Sequence, residues 1–259
     1  MTEEILLEKK NGIARITLNR PDKLNAFNRS LAVGLQEQLK KADEADDIRC
    51  VILTGSGRAF SSGQDLSEFP GGKLPDFEKV IDEYYNPLIR LLKSIRKPVV
   101  CAVNGIAAGA GANIALSCDI VVATASASFV QAFSKIGLIP DCGGTYFLPR
   151  LVGLQKAAAF MMLGDKISAA EAEQYGMIYK CYDDGLFENS VNQIAVSLAM
   201  LPTKALMLTR TALLQSYTNS LEQQLELEKR LQARAGHTDD FKEGVTAFFE
   251  KRLPVFTGK

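Results

Sequence analysis

The chain has 259 residues, 47% of them hydrophobic, enough to bury a full core in one or two domains. Lys+Arg and Asp+Glu both count 30, so net charge is zero and no basic stripe forms, which argues against a nucleic-acid binder that neutralises phosphates. No apolar run is long and uncharged enough to span a bilayer, and the opening MTEEILLEKKNG has no apolar leader, so neither a membrane span nor a secretory signal is expected.

In chain order, GIARITLN (Gly12 to Asn19) sets Ile13, Ile16 and Leu18 among polar neighbours and reads as a strand, followed by the turn RPDKLNAF. Ser30 to Ala45 reads as an amphipathic helix, with Leu31, Leu35 and Leu39 four residues apart. CVILTGSG is a short apolar run ended by glycines, as a buried strand requires. Phe69 to Glu78, FPGGKLPDFE, is rich in Pro and Gly and reads as a mobile loop or lid edge. A helix carrying Tyr84, Leu88, Leu91 and Leu92 leads to a second buried strand, PVVCAVNG, and DIVVAT gives a third. Strands alternating with helices predict an α/β core with parallel pairing.

From Leu151 onward the pattern turns almost wholly helical. ISAAEAEQYGMI fits a helix capped by Ser168, with Glu171 closing a capping box and Gly176 ending it. In the tail, Leu221, Leu225 and Leu231, then Phe241, Val245, Phe248 and Phe249, recur at helical spacing. A lone surface helix has no use for so many apolar groups, so they are expected to pack elsewhere on the molecule or on a neighbouring subunit. The expected division is a core over residues 1–200 and a helical region over 201–259.

The five cysteines, Cys50, Cys101, Cys118, Cys142 and Cys181, are odd in number and show no C-x-x-C spacing, which fits free thiols in a reducing, cytoplasm-like compartment. His237 is the single histidine; it weighs against a Ser-His-Asp triad and a histidine-ligated metal, and is expected at the surface or a helix end.

The chemistry concentrates between Pro98 and Thr145. Gly109, Ala110 and Gly111 strip side-chain bulk where an apolar helix begins, so the first helical N–H groups lack intrahelical partners. Such a turn suits an oxygen with developing negative charge. A second glycine-bounded turn, Arg58 to Leu66, follows the CVILTG strand and offers another N–H donor. Asp141, in P-D-C-G-G, would by itself be a turn-former; placed behind the glycine-rich turn it becomes a candidate proton-transfer group. Two N–H donors on one carbonyl oxygen, with an acid nearby, imply enolate formation beside a thioester or ketone. No GxxxxGK[ST] or GxGxxG follows the first strand, so nucleotide-triphosphate and dinucleotide roles are not expected.

Together LNRPDKLNAF, AFSSGQDL, KPVVCAVNGIAAGAGANIALSCDI, KIGLIPDCGGT and KRLPVFTGK resemble the crotonase (enoyl-CoA hydratase/isomerase) superfamily over nearly the whole chain. The resemblance implies a spiral of ββα units with a C-terminal helical trimerisation region, forming homotrimers or dimers of trimers. It implies an acyl-CoA thioester substrate, with coenzyme A as part of the substrate and no metal, nucleic-acid or membrane partner. By position, the oxyanion donors would be the N–H groups of Gln64 and Ala110, and the acid Asp141. The hydratases' two glutamates are replaced by Asn113 and Phe133; neither titrates near neutral pH, so water addition is disfavoured and isomerisation expected. Asn113 and Phe133 would shape the acyl pocket, beside Gly109, with an apolar wall at Phe133 raising the Asp141 pKa. Lys23, Leu24, Ala26, Ser62, Asp65 and Leu66 match positions lining the coenzyme A channel, and Phe248 and Lys251 would reach a neighbour's coenzyme A. AFSKIGLIPDCGGT and DEYYNPLIR look most like the branch that isomerises the ring epoxide of an arylacetyl-CoA and moves double bonds in enoyl-CoAs. The alternatives are an enoyl-CoA hydratase and a non-catalytic subunit of the same fold.

Overall fold

The structure is a computed structural model that describes residues 3–68 and 76–259. Strands and helices recur as ββα units: β1 (Ile5–Lys10), β2 (Ile13–Leu18) and α1 (Arg29–Glu44); β3 (Cys50–Gly55) and β4 (Ala59–Ser61), followed by α2 (Phe77–Val80) and α3 (Asn86–Ser94). The next units are β5 (Val99–Val103), β6 (Ile106–Ala108) and α4 (Ala110–Leu116), then β7 (Ile120–Thr124), β8 (Ser128–Val130), α5 (Gly144–Val152) and α6 (Leu154–Leu163). After β9 (Lys166–Ser168), α7 (Ala169–Gln174) and β10 (Lys180–Tyr182), the chain ends in α8 (Asp184–Met200), α9 (Thr203–Ser216), α10 (Leu221–Gly236) and α11 (Asp239–Glu250).

In three successive units the first strand joins one sheet and the second strand the other. The sheet orders are β1-β2-β3-β5-β7-β10 and β4-β6-β8-β9, so the chain advances as a spiral between two layers. All pairs in the larger sheet are parallel except β1 with β2. Strands β3 and β5 are buried at every residue, because helices cover both faces of this parallel sheet. Alternation along the strands sorts their side chains: Val51, Leu53, Val99, Cys101 and Val103 join the main core with α1 and α3. Cys50, Ile52, Val100 and Ala102 face Phe187, Val191 and Ala195 of α8 instead. The expected α/β spiral of ββα units is thus the observed fold.

The amphipathic helix starts one residue before its expected position because Asn28, whose side chain accepts from the Leu31 N–H at 2.7 Å, supplies the cap. The Ser168 capping box forms as expected. Of the expected loop Phe69 to Glu78, residues 69–75 lie outside the described residues. The remainder departs from the expectation: Asp76 caps α2 through the Lys79 N–H, and Phe77 and Glu78 are already helical. Between α2 and α3 the helix passes through a π turn, Ile81–Tyr85.

Helices α9 and α10 share a small core of Leu208, Leu227 and Leu231. Leu221, Leu225, Phe241, Phe248 and Phe249 stay exposed, the last two at 78% and 76%, so within this chain they do not find the cover expected of them. His237 ends α10 at the surface. All five cysteines are free, and four are buried. Among the described residues, no single helix is long and apolar enough to cross a membrane.

Candidate active site

Two turns meet at the ends of the parallel strands. Gly63, at φ +92°, carries no Cβ for a steric reason: one would stand 3.0 Å from the Ala108 carbonyl and 3.6 Å from the Ala110 nitrogen. The segment around Gly63 therefore lies directly against the first residue of α4. Gln64 forms a parallel bridge with Phe27, in which Phe27 N–H donates to Gly63 O (2.7 Å) and Asp65 N–H to Phe27 O (2.8 Å). Those bonds use the two neighbours of Gln64, so its own N–H faces away from the bridge. Ala110 opens α4, where no helical carbonyl precedes it. Among the described residues, neither N–H donates to a main-chain acceptor outside the regular helices and strands.

The Phe133 ring packs across the same turn, 3.8 Å from where a Gly109 Cβ would lie, and is buried. Asp141 follows on the loop into α5. Its carbonyl accepts from Gly144 N–H at 2.9 Å, and the next two residues, Cys142 and Gly143, both adopt positive φ, at 52° and 71°. A non-glycine residue held left-handed costs about 1 kcal/mol or more, and such strain clusters at functional sites. Burial pushes the Asp141 carboxyl up to about 6, opposed by hydrogen bonds from the Cys142 thiol and its own N–H. Its Oδ1 is buried and meets no partner among the described residues.

The Asn113 side chain is fully buried and engaged at both ends. Nδ2 donates to the Asp141 carbonyl at 2.9 Å, and Oδ1 accepts from Gln131 Nε2 at 2.8 Å. Residue 144 is glycine because a Cβ there would come within 2.3 Å of Asn113 Nδ2. Gln131, also fully buried, was not legible in the sequence: it is one polar residue after a short apolar strand, and nothing in SFVQAF marks its partner 18 positions upstream. Cys142 is buried as a core thiol, as packing predicted.

The Asp65 carboxylate pairs with Arg20 at 2.9 Å and accepts from Ser67, which holds it below the usual carboxylate range against the opposing effect of burial. That side chain braces the turn. Ser62 N–H donates to Leu24 O at 2.9 Å, which brings Lys23, Leu24 and Ala26 alongside the Gln64 turn; Lys23 and Leu66 are exposed and Ala26 is buried. Phe248 and Lys251 are not brought to this cluster by their own chain. Phe248 instead lines a cavity of about 560 Å³ with Pro202, Ala205, Phe241 and Val245, and Lys251 ends α11 at φ +55°. Among the described residues, no three His, Cys, Asp or Glu side chains gather to hold a metal ion.

A ββα spiral with two abutting turns and one half-buried acid on the loop before α5 defines a crotonase-type enzyme. The enoyl-CoA hydratase/isomerase family model matches residues 8–259, and the chain belongs to that family. It is similar to the 1,2-epoxyphenylacetyl-CoA isomerase of Escherichia coli K12, at 48% identity over 262 residues covering all of both chains. It is similar also to the 2,3-dehydroadipyl-CoA hydratase of the same organism, at 33% identity over 99% of each chain. Among solved structures, the enoyl-CoA hydratase of Bacillus anthracis superposes with a TM-score of 0.94 at 32% identity, covering 99% of this chain and 100% of that one.

Proposed function

We propose that this enzyme is an acyl-CoA isomerase that needs no metal or redox cofactor and works through one carboxyl group. The substrate's thioester carbonyl sits between the N–H groups of Gln64 and Ala110. Those donors stabilise the enolate oxygen formed when a proton leaves the adjacent carbon; each is worth roughly 3 kcal/mol of transition-state stabilisation. Asp141 accepts that proton and returns it to another carbon of the same substrate. The closing α-helical region forms a homotrimer or a pair of trimers through its exposed apolar residues, and Phe248 and Lys251 reach the neighbour's coenzyme A.

One observation carries this reading: the amide of Asn113, the residue that the family resemblance puts in place of the hydratases' first glutamate, is wholly engaged with the Asp141 loop and Gln131. The same resemblance puts Phe133 at the second glutamate position, which leaves Asp141 as the carboxyl group of the site. A carboxyl near 6 is well placed to take and return a proton at neutral pH. The similarity to a 1,2-epoxyphenylacetyl-CoA isomerase supports the ring epoxide of phenylacetyl-CoA as one substrate; 3-enoyl-CoA is the other, on the family resemblance of the sequence motifs. Epoxide rearrangement uses the same elements, with Asp141 assisting ring opening while the two N–H groups hold the thioester oxygen. The free thiols fit a cytoplasmic enzyme.

Incubation with 3-enoyl-CoA in deuterated water, followed by mass spectrometry, tests the reaction class. Double-bond migration with deuterium exchange and no added water is the expected result. Stoichiometric gain of one water would make the protein a hydratase and overturn the proposal.

A further inference from the structure

The π turn Ile81–Tyr85 ends on a residue that the reaction scheme above does not use. An i→i+5 turn adds one residue to the helical phase, and such insertions recur at functional sites. Here the turn ends with Tyr85 inside the protein, 1% exposed, its ring edge-on to Phe27 at 6.2 Å. A buried phenol needs a partner for its hydroxyl. The Tyr85 O–H donates to Oε1 of Gln64. At the other end of the same amide, Gln64 Nε2 donates to Glu68 Oε2 at 3.1 Å, while Glu68 Oε1 accepts from Arg29 N–H at 3.0 Å, where α1 begins.

The donor and acceptor roles are mutually consistent. A carboxylate only accepts, so Nε2 must face Glu68, which leaves Oε1 for the Tyr85 hydroxyl. The Gln64 side chain is thereby gripped from both ends, and its main chain is fixed by the Phe27 bridge. Tyr85 also lies beside the acid loop. Burial raises its pKa well above the ordinary value, and the nearby Cys142 and Asp141 raise it further, so the hydroxyl keeps its proton.

We propose that Tyr85 is a positioning residue: through the Gln64 amide, its hydroxyl holds the Gln64 N–H in line for the substrate's carbonyl oxygen. The inference rests on the oxyanion reading of Gln64 given above. It changes what the Gln64 side chain is for. That side chain carries the tie between the donor turn and the helix that bears Tyr85.

Tyr85→Phe removes one oxygen and keeps the ring. With 3-enoyl-CoA, kcat is expected to fall about 10-fold or more while KM stays within about twofold, the pattern of an interaction made in the transition state. The second readout is the infrared carbonyl band of a bound, unreactive saturated acyl-CoA labelled at the thioester carbon. In the parent enzyme that band should lie below its solution frequency, and in Tyr85→Phe it should move back towards it. An unshifted band in the parent would remove the oxyanion reading itself. A shifted band that Tyr85→Phe leaves in place, with kcat unchanged, would overturn the positioning role alone. Should Tyr85→Phe fail to fold, Glu68→Ala releases the same amide from its exposed end. A several-fold fall in kcat with the same band movement supports the relay, and no change in either overturns it.

Discussion

Asn113 Nδ2 donates to the main-chain carbonyl of Asp141 at 2.9 Å, so a buried amide on α4 holds from behind the loop that presents the acid. The two residues are 28 positions apart, and Gln131 fixes the amide's orientation by donating to its other end. Asn113 thus braces the acid loop from behind. A neutral donor is required there, because a carboxylate would face a carbonyl oxygen at hydrogen-bond distance.

Replacing Asn113 by Glu is therefore expected to lower isomerase activity without creating a hydratase. Loss of the buried hydrogen bonds should also lower stability by about 1–3 kcal/mol. Product analysis by mass spectrometry together with thermal unfolding checks both halves. Efficient water addition by Asn113→Glu would show that the acid loop needs no such brace.

Gly144→Ala tests the same contact from the other side. Its Cβ would fall 2.3 Å from Asn113 Nδ2, so either the amide or the start of α5 must move. Overpacking of this kind costs about 1–3 kcal/mol. Turnover should fall with it, and a crystal structure of the variant should show Asp141 displaced.

Asp141→Asn should reduce turnover about 100- to 10,000-fold while leaving far-ultraviolet circular dichroism unchanged. Near-parental activity in this variant would remove Asp141 from the mechanism.

The pH dependence follows from the same carboxyl. As a base it must be ionised, so kcat/KM should rise with pH through about 6 and level off above it. Stability runs the other way. The folded carboxyl titrates near 6 and the unfolded one near 3.8, so between these values the folded state binds more protons and loses stability as pH rises. Above the window the buried charge costs on the order of 1–3 kcal/mol. Asp141→Asn should then melt higher than the parent at pH 8, with the gain shrinking towards pH 4. Equal shifts at both pH values would contradict a raised carboxyl.

The exposed Phe248 and Phe249 predict an assembly. Changing both to Glu should lower the mass measured by light scattering from that of a trimer or larger to that of a monomer, with helix content retained. An unchanged mass would place the interface elsewhere.

Periodicity and turn chemistry determined much of the molecule before any contact was known. CVILTG and VVCAV read as buried strands because every residue is apolar or small. The helix carrying Leu31, Leu35 and Leu39 was legible from its spacing, and the Ser168 capping box because caps act within a few residues of chain. The string of glycine-rich motifs likewise pointed to the family whose model the chain matches. What Asn113 does, however, was decided only when α4 came against the loop before α5. The pairing of Asp65 with Arg20, 45 positions away, was likewise decided only by the packed chain. Tyr85 gained its partner through a π turn that no pattern of hydrophobicity marks. These partners lie tens of residues apart, and a buried polar group takes whichever donor or acceptor the packed chain brings to it.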